Sequence, residues 1–290
     1  MPHDSPRASL TPTDGAVRVA CVSYLNARPL TEDALARLAG GDGVPAIEVV
    51  RDVPSAIADR VRQGEAAMGL VPVADLLRGE PALEAWPVGG IACDGPTLTV
   101  RLFARKPIEV VRTVAMDTDS HTSVVLSTLL LMRLTGRRPE VMPMAWRQGE
   151  TTDAGVDALL LIGDKVVTAA PPKWVYPHQL DLGAAWQQWT GLPFVFACWA
   201  GRAGEEVGWI AERLDRVRDD NAPRRLELAR LLADGHDWPM DLAEAYLTRV
   251  LRYEIGPREL AGMRRFAAEA HAAGLVERDE PLVRELASRG

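Results

Sequence analysis

Short apolar runs alternate with amphipathic stretches over the first two-thirds of the chain. Val17–Val22 has the length and composition of a strand, and after a polar turn Leu30, Leu35 and Leu38 recur at helical spacing. Ile47–Val50 reads as the next strand, and Pro54–Arg62 as a helix with Val53, Ile57 and Val61 on one face. Met68–Val71 is a further strand and Val73–Leu77 a helical turn. This β-α-β-α rhythm predicts a mostly parallel sheet covered by helices.

Thr97–Ala104 (TLTVRLFA) alternates and is rich in β-formers, which suits a strand leaving the first unit. Val110–Met116 opens a second unit, followed by the apolar helix Ser123–Leu134 with Gly136 as its stop. Ala158–Ile162 reads as a buried strand and Phe194–Ala200 as another β-favouring run. After Gly204 the pattern changes to four amphipathic helices: Glu205–Arg218, Ala222–Ala233, Asp241–Tyr253 and Pro257–Ala273. Asp241 is read as an N-cap and Pro257, after Gly256, as a first helical residue. The fold class is therefore α/β: two α/β units and a helical tail.

The 290 residues suit two lobes rather than one small core. A formal charge of -7, without any block of Lys and Arg, argues against a nucleic-acid partner. No apolar run approaches the ~20 residues that span a bilayer, so no membrane partner is expected. Residues 1–15 (MPHDSPRASLTPTDG) lack an apolar stretch and read as a floppy leader, not a secretory signal. Cys21, Cys93 and Cys198 are widely spaced among apolar neighbours, as buried reduced thiols would be; the compartment expected is the cytoplasm.

No GxGxxG, GK[ST], GxSxG or HExxH motif occurs, and no metal-ligand spacing, so neither cofactor nor metal is expected. His178, His236 and His271 fall in turns or on polar helix faces and read as solvated, as do Arg224, Arg225, Arg264 and Arg265.

Two strand-to-helix junctions carry candidate chemistry. In Ser23-Tyr24-Leu25-Asn26-Ala27-Arg28-Pro29-Leu30, Asn26 sits where ligands bind in open α/β sheets, and where a helix cap would also sit. In Asp117-Thr118-Asp119-Ser120-His121-Thr122-Ser123, free N–H groups and short hydroxyls at a helix start suit a carboxylate. Capping by Ser120 or Asp119 and a solvated His121 are the plainer alternatives. In the turn Asp94-Gly95-Pro96-Thr97-Leu98-Thr99, Thr99 points into a cleft or simply satisfies β-propensity. Asp164, ending Leu161-Ile162-Gly163-Asp164, caps the next segment or lines the cleft.

YLNARPL, CDGPTLT, SHTSVVL, LLIGD and WTGLPFVFACWA stand in the order seen in the chorismate dehydratases of the futalosine route to menaquinone. The chain resembles that family from Val17 to its final helices, and Trp189–Ala197 is the most specific stretch. The resemblance implies a two-lobed type II periplasmic-binding-protein-like fold with a central cleft. Lobe one would comprise residues 16–106 and 194–290, and lobe two residues 107–193. The crossings would lie near Phe103–Pro107 and Pro193.

It also implies removal of water from chorismate to give 3-[(1-carboxyvinyl)oxy]benzoate, the ring losing its C3 proton and C4 hydroxyl. The family's active-site Asn matches Asn26, and its Ser matches Thr99, a departure that keeps the hydroxyl and adds a methyl. Thr122 and Ser123 would hold a substrate carboxylate; Tyr24, Gly95, Pro96, Ser120, His121 and Asp164 complete the expected binding set. With no strong base among these residues, the substrate's own side-chain carboxylate would take the proton. Two rivals are the 1,4-dihydroxy-6-naphthoate synthase of the same pathway and a non-catalytic cytoplasmic binder of a small carboxylate.

Overall fold

The computed structural model describes residues 16–32, 45–144 and 155–285. The expected leader, Leu35 and Leu38 lie outside the described residues. Those described form two sheets. The first has seven strands: β1 (Val17–Val22), β2 (Ile47–Asp52), β3 (Met68–Pro72), β4 (Leu83–Cys93), β10 (Phe194–Arg202), β11 (Leu251–Arg252) and β12 (Leu282–Val283). The second has β5 (Val100–Ala104), β6 (Thr113–Asp117), β7 (Glu140–Met144), β8 (Ala158–Ile162) and β9 (His178–Asp181).

In the first sheet β1 pairs in parallel with β2 and β3, whereas β10 runs antiparallel between β3 and β4. In the second, β6 is parallel to β7 and β8, and β5 is antiparallel to β8 and β9. Each lobe is thus a parallel unit extended by an antiparallel strand that arrives from a crossing segment.

The outgoing crossing is earlier than the resemblance implied. Val100–Ala104 pairs residue for residue with Ile162–Ala158, so β5 already belongs to lobe two and the chain passes over at Asp94–Thr99. The reason is burial: Val100, Leu102, Phe103 and Ala104 are all buried, and only a central place between β8 and β9 covers them. The chain returns to the first sheet after helix Leu182–Thr190, which ends at the left-handed Gly191 (φ 71°), and enters β10 at Phe194.

Here Trp186, fully buried, meets Trp189, Phe194 and Phe266 edge-on, with ring centroids 5.4, 5.3 and 6.2 Å away. Its indole N–H donates to the Pro193 carbonyl at 3.2 Å. Edge-to-face pairs contribute about 0.5–1.5 kcal/mol each beyond their buried area. The most specific motif in the chain is therefore largely a packing motif that fixes the return crossing.

The tail packs on the first sheet and also reaches helix His121–Thr135 of the second unit. Helix Gly208–Asn221 contacts β4, and helix Pro257–Ala272 contacts β10. The expected helix Asp241–Tyr253 is shorter: Met240–Ala245 widens into a π turn, Tyr246–Val250, and then becomes β11. Asp241 lies in the first turn behind Pro239 and is no cap. Pro257 occupies the first helical position, and the Gly256 N–H is met by the Glu259 carboxylate at 3.2 Å. The three cysteines are free and buried, and burial pushes the Cys21 and Cys198 thiols up to about 12. No described helix is long and apolar enough to cross a membrane.

Candidate active site

A narrow cavity of about 60 Å³ lies between the lobes. Lobe one lines it with Val22, Tyr24, Asn26, Leu70, Pro72, Ile91, Phe196 and Tyr246; lobe two adds Thr99, Val100, Ser120, Ser123, Ile162 and Gly163. Apolar walls with a few convergent polar groups are what small-molecule sites look like.

Asn26 arrives from the end of β1. The chain leaves the sheet at Val22 and turns through the 3-10 segment Leu25–Ala27, so Asn26 sits inside the turn. Neither flanking cap position makes a side-chain cap bond, which removes the capping alternative. Its Oδ1 is buried and has no hydrogen-bond partner.

Thr99 is held by a strained turn. Leu98 adopts φ 64°, which is rare for a branched side chain and costs on the order of 1–3 kcal/mol. The Asp181 carboxylate holds the strain in place, accepting from the N–H groups of Thr97 and Leu98 at 2.9 Å each. Thr99 is 2% exposed, and its hydroxyl lies 2.6 Å from that of Tyr246.

Ser120 and Ser123 open helix His121–Thr135. The Ser120 oxygen caps it by accepting from the Ser123 N–H at 3.3 Å, and the two hydroxyls are 2.9 Å apart. Both cap and cavity wall are the same residue. Tyr24 packs its ring against Gly163 (φ 61°), where a Cβ would come within 3.1 Å of it. Burial, and after it the nearby Asp119, Asp117 and Asp164 carboxylates, push the Tyr24 phenol up.

Five residues expected at the site do not line the cavity. The Thr122 hydroxyl is fully buried and accepts from the Ala74 N–H at 3.0 Å, so it is committed to closing the lobes. His121 turns aside to Asp75, 2.9 Å from Nδ1 to Oδ1. Asp164 accepts from the Leu25 N–H at 3.4 Å and faces His236 Nδ1 at 2.9 Å; its carboxylate serves as another bridge between lobes. Gly95 and exposed Pro96 shape the crossing behind Thr99. His236, read as solvated, has a side chain only 12% exposed because this bridge covers it.

Sequence reasoning missed Tyr246, Asp181 and the buried Asp75. It also missed an ionic cluster in which Lys165 Nζ lies 2.9 Å from Asp117 Oδ2 and 2.6 Å from Asp119 Oδ2. Burial raises the Asp117 carboxyl, with the Lys165 ammonium opposing it. Burial works to lower Lys165, yet its two carboxylate partners hold it above its usual range. A charge on a strand end followed by a charge after a helix start gives no sequence signal that the two will meet.

Among the described residues, none of those lining the cavity is Asp, Glu, His, Lys or Arg. Its two phenols are both pushed up, chiefly by burial, and so are neutral at ordinary pH. The described lining residues can donate, accept and orient, but none of them is a strong base. Among the described residues, no group of three or more His, Cys, Asp or Glu is placed to hold a metal ion.

Residues 17–272 match the family model described as menaquinone biosynthesis. A chorismate dehydratase of Thermus thermophilus is 29% identical over 259 residues, covering 84% of this chain and 91% of that protein. Among solved structures, protein AF1704 of Archaeoglobus fulgidus has a TM-score of 0.68 at 17% identity, covering 91% of this chain and all, 100%, of that one. The periplasmic aliphatic sulphonate binding protein SsuA of Escherichia coli has a TM-score of 0.61 at 15% identity, with 97% and 96% covered. These neighbours share the periplasmic-binding-protein fold, and the matched span includes both lobes and most of the tail. The chain belongs to the menaquinone-biosynthesis family.

Proposed function

We propose that this protein is a chorismate dehydratase, converting chorismate to 3-[(1-carboxyvinyl)oxy]benzoate and water. The observation that carries the reading is the cavity wall: polar Asn26, Thr99, Ser120 and Ser123 among apolar residues, with no charged group among the described lining residues. A reaction driven by aromatisation, with the base carried on the substrate, suits such a site. The C3–H bond breaks, the electron pair forms the new ring double bond, and the C4–O bond breaks. The enolpyruvyl carboxylate takes the proton, and proton and hydroxide leave together as water.

The protein's part is orientation. Ser120 and Ser123, at the positive end of helix His121–Thr135, hold a carboxylate; Asn26 and Thr99 meet the oxygens at the reacting edge. A positioned intramolecular base has already lost its collision entropy on binding, and the apolar wall keeps its carboxylate from being solvated. The cytoplasmic location and the futalosine route belong to the same reading.

The test is purified protein mixed with chorismate, with product followed by absorbance and mass. The reading predicts catalytic formation of the aromatic ether with one water lost per chorismate. Binding without product would favour the small-carboxylate binder; no reaction, with dihydroxynaphthoate formed from the later pathway substrate, would favour the sister enzyme.

A further inference from the structure

A second cavity, of about 710 Å³, lies among the tail segments and shares no described lining residue with the one between the lobes. Arg218, Arg225, Arg249, Arg252 and Arg258 line it. Three of these are already matched. Arg218 lies 2.7 Å from Asp215 and 2.6 Å from Asp219, and Arg252 and Arg258 share Asp94 at 3.0 and 2.9 Å.

Arg225 and Arg249 remain. Arg225 gives its Nε to the Ala222 carbonyl at 3.1 Å, and neither arginine meets a carboxylate among the described residues. The acids on the wall are Asp219, Glu254 and Glu259. Asp219 is taken up by Arg218, and Glu259 by Arg252 and the Gly256 N–H, which leaves Glu254 to oppose the two guanidiniums.

Tyr253 is the second, independent observation. It lines the same cavity, is 5% exposed, and its hydroxyl is buried without a hydrogen-bond partner. The Arg225 guanidinium lies over its ring, 5.9 Å from the centroid. Burial pushes the phenol well up, so the hydroxyl stays a donor. A buried donor without an acceptor destabilises a fold, and phenylalanine would fill the same space without that cost. Such a hydroxyl is kept where a ligand supplies the acceptor.

We propose that this cavity binds a small molecule through a phosphoryl group, held by Arg225, Arg249 and the Tyr253 hydroxyl. A phosphoryl group offers three strong acceptor oxygens, enough for two guanidinium forks and a phenol, and its negative charge offsets the two arginines. Pro29, Ala222 and Pro257 give the rest of the molecule an apolar wall. Arg225, half-buried, swings to the phosphate and uncovers the hydroxyl beneath it. The site is independent of the chemistry between the lobes.

Inorganic phosphate titrated calorimetrically into the full chain, in chloride buffer, tests this. Saturable uptake at a single site is expected, and Arg225→Gln and Arg249→Gln each weaken it about tenfold, the loss of one charge-assisted contact. Neither arginine is buried, so both variants keep the wild-type Tm. Tyr253→Phe weakens phosphate about threefold to tenfold, yet leaves the ligand-free Tm unchanged or raised. A purely structural tyrosine would not give that split. Ser123→Ala, at the helix start between the lobes, leaves phosphate affinity unchanged.

No saturable uptake overturns the proposal, and so does uptake that survives Arg225→Gln combined with Arg249→Gln. Binding abolished by Ser123→Ala places the anion between the lobes and overturns it too. Wild-type affinity in Tyr253→Phe does the same; if that variant does not fold, the two arginine variants decide.

Discussion

The backbone N–H of Ala74, in lobe one, donates to the Thr122 hydroxyl, in lobe two, at 3.0 Å. Beside this bond His121 meets Asp75 at 2.9 Å, and the Ser55 N–H donates to the Asp119 carbonyl at 2.9 Å. The start of helix His121–Thr135 thus has two jobs: Ser120 and Ser123 face the cavity, while the residues between them fasten the lobes. A helical turn separates these jobs by direction, since adjacent positions point about 100° apart.

Thr122→Val should therefore behave as a closure variant. It leaves the Ala74 N–H unpaired in a buried interface, at a cost of about 1–3 kcal/mol. The expected outcome is a lower Tm and a raised KM, with kcat close to wild type. Ser123→Ala should raise KM with little change in Tm. Thermal denaturation and steady-state kinetics on both variants check the contrast; equal Tm losses would contradict it.

Asn26→Ala should reduce kcat and kcat/KM together while the Tm changes little. A lost N-cap would cost about 1 kcal/mol of stability, but Asn26 caps no helix here. A variant that melts early and turns over normally would remove Asn26 from the site.

Thr99→Ser keeps the donor and should remain active. Thr99→Val keeps shape and β-propensity but sets a methyl against a substrate oxygen and against Tyr246, at about 1–3 kcal/mol. That is a rate loss of about tenfold to a hundredfold where it falls on the transition state. Equal kcat/KM for the two variants, at matched folded fraction, would take Thr99 out of the mechanism.

What could be read from the sequence was local. β1, β8 and helix Pro54–Arg62 have the bounds their patterns predict, because each apolar period matches its own burial. β4 has no counterpart in the sequence pattern: it contains Pro87, Gly89 and Gly90, residue types that weaken a strand's signal. They are tolerated because β10 pairs with β4 through register shifts, and Gly90 has to be small: a Cβ there would lie 2.6 Å from the Ala197 carbonyl oxygen. At the site, Asn26, Thr99, Ser120 and Ser123 follow strand ends or turns, where position alone marks them. Tyr246 comes from a helical tail whose apolar stripe looks like core, and nothing local shows that it reaches the cavity. Thr122 and Asp164 were read as ligand groups because a partner across the lobes cannot be seen along the chain.

Asp157 provides a pH signature. Burial works to raise its pKa, but the Lys106 ammonium and the N–H groups of Arg112 and Thr113 outweigh that and hold it below the usual carboxylate range. Lys106 Nζ is 2.7 Å from Oδ1, and the Arg112 N–H is 2.7 Å from Oδ2. A depressed folded pKa contributes stability above the unfolded value, about 3.9, that is lost as pH falls through the folded one. Asp157→Asn should thus lower the Tm at neutral pH, with the deficit shrinking below about pH 4. A deficit unchanged down to acid pH would show that charge is not what Asp157 contributes.

Chorismate deuterated at C3 and incubated with the purified protein, its product and rate compared with those of unlabelled substrate, tests the dehydration itself. Removal of the C3 proton with the C4 hydroxyl predicts an aromatic product free of deuterium, formed more slowly from the labelled substrate where C–H cleavage limits the rate. A product that retains the label, or chorismate recovered unchanged, would contradict it.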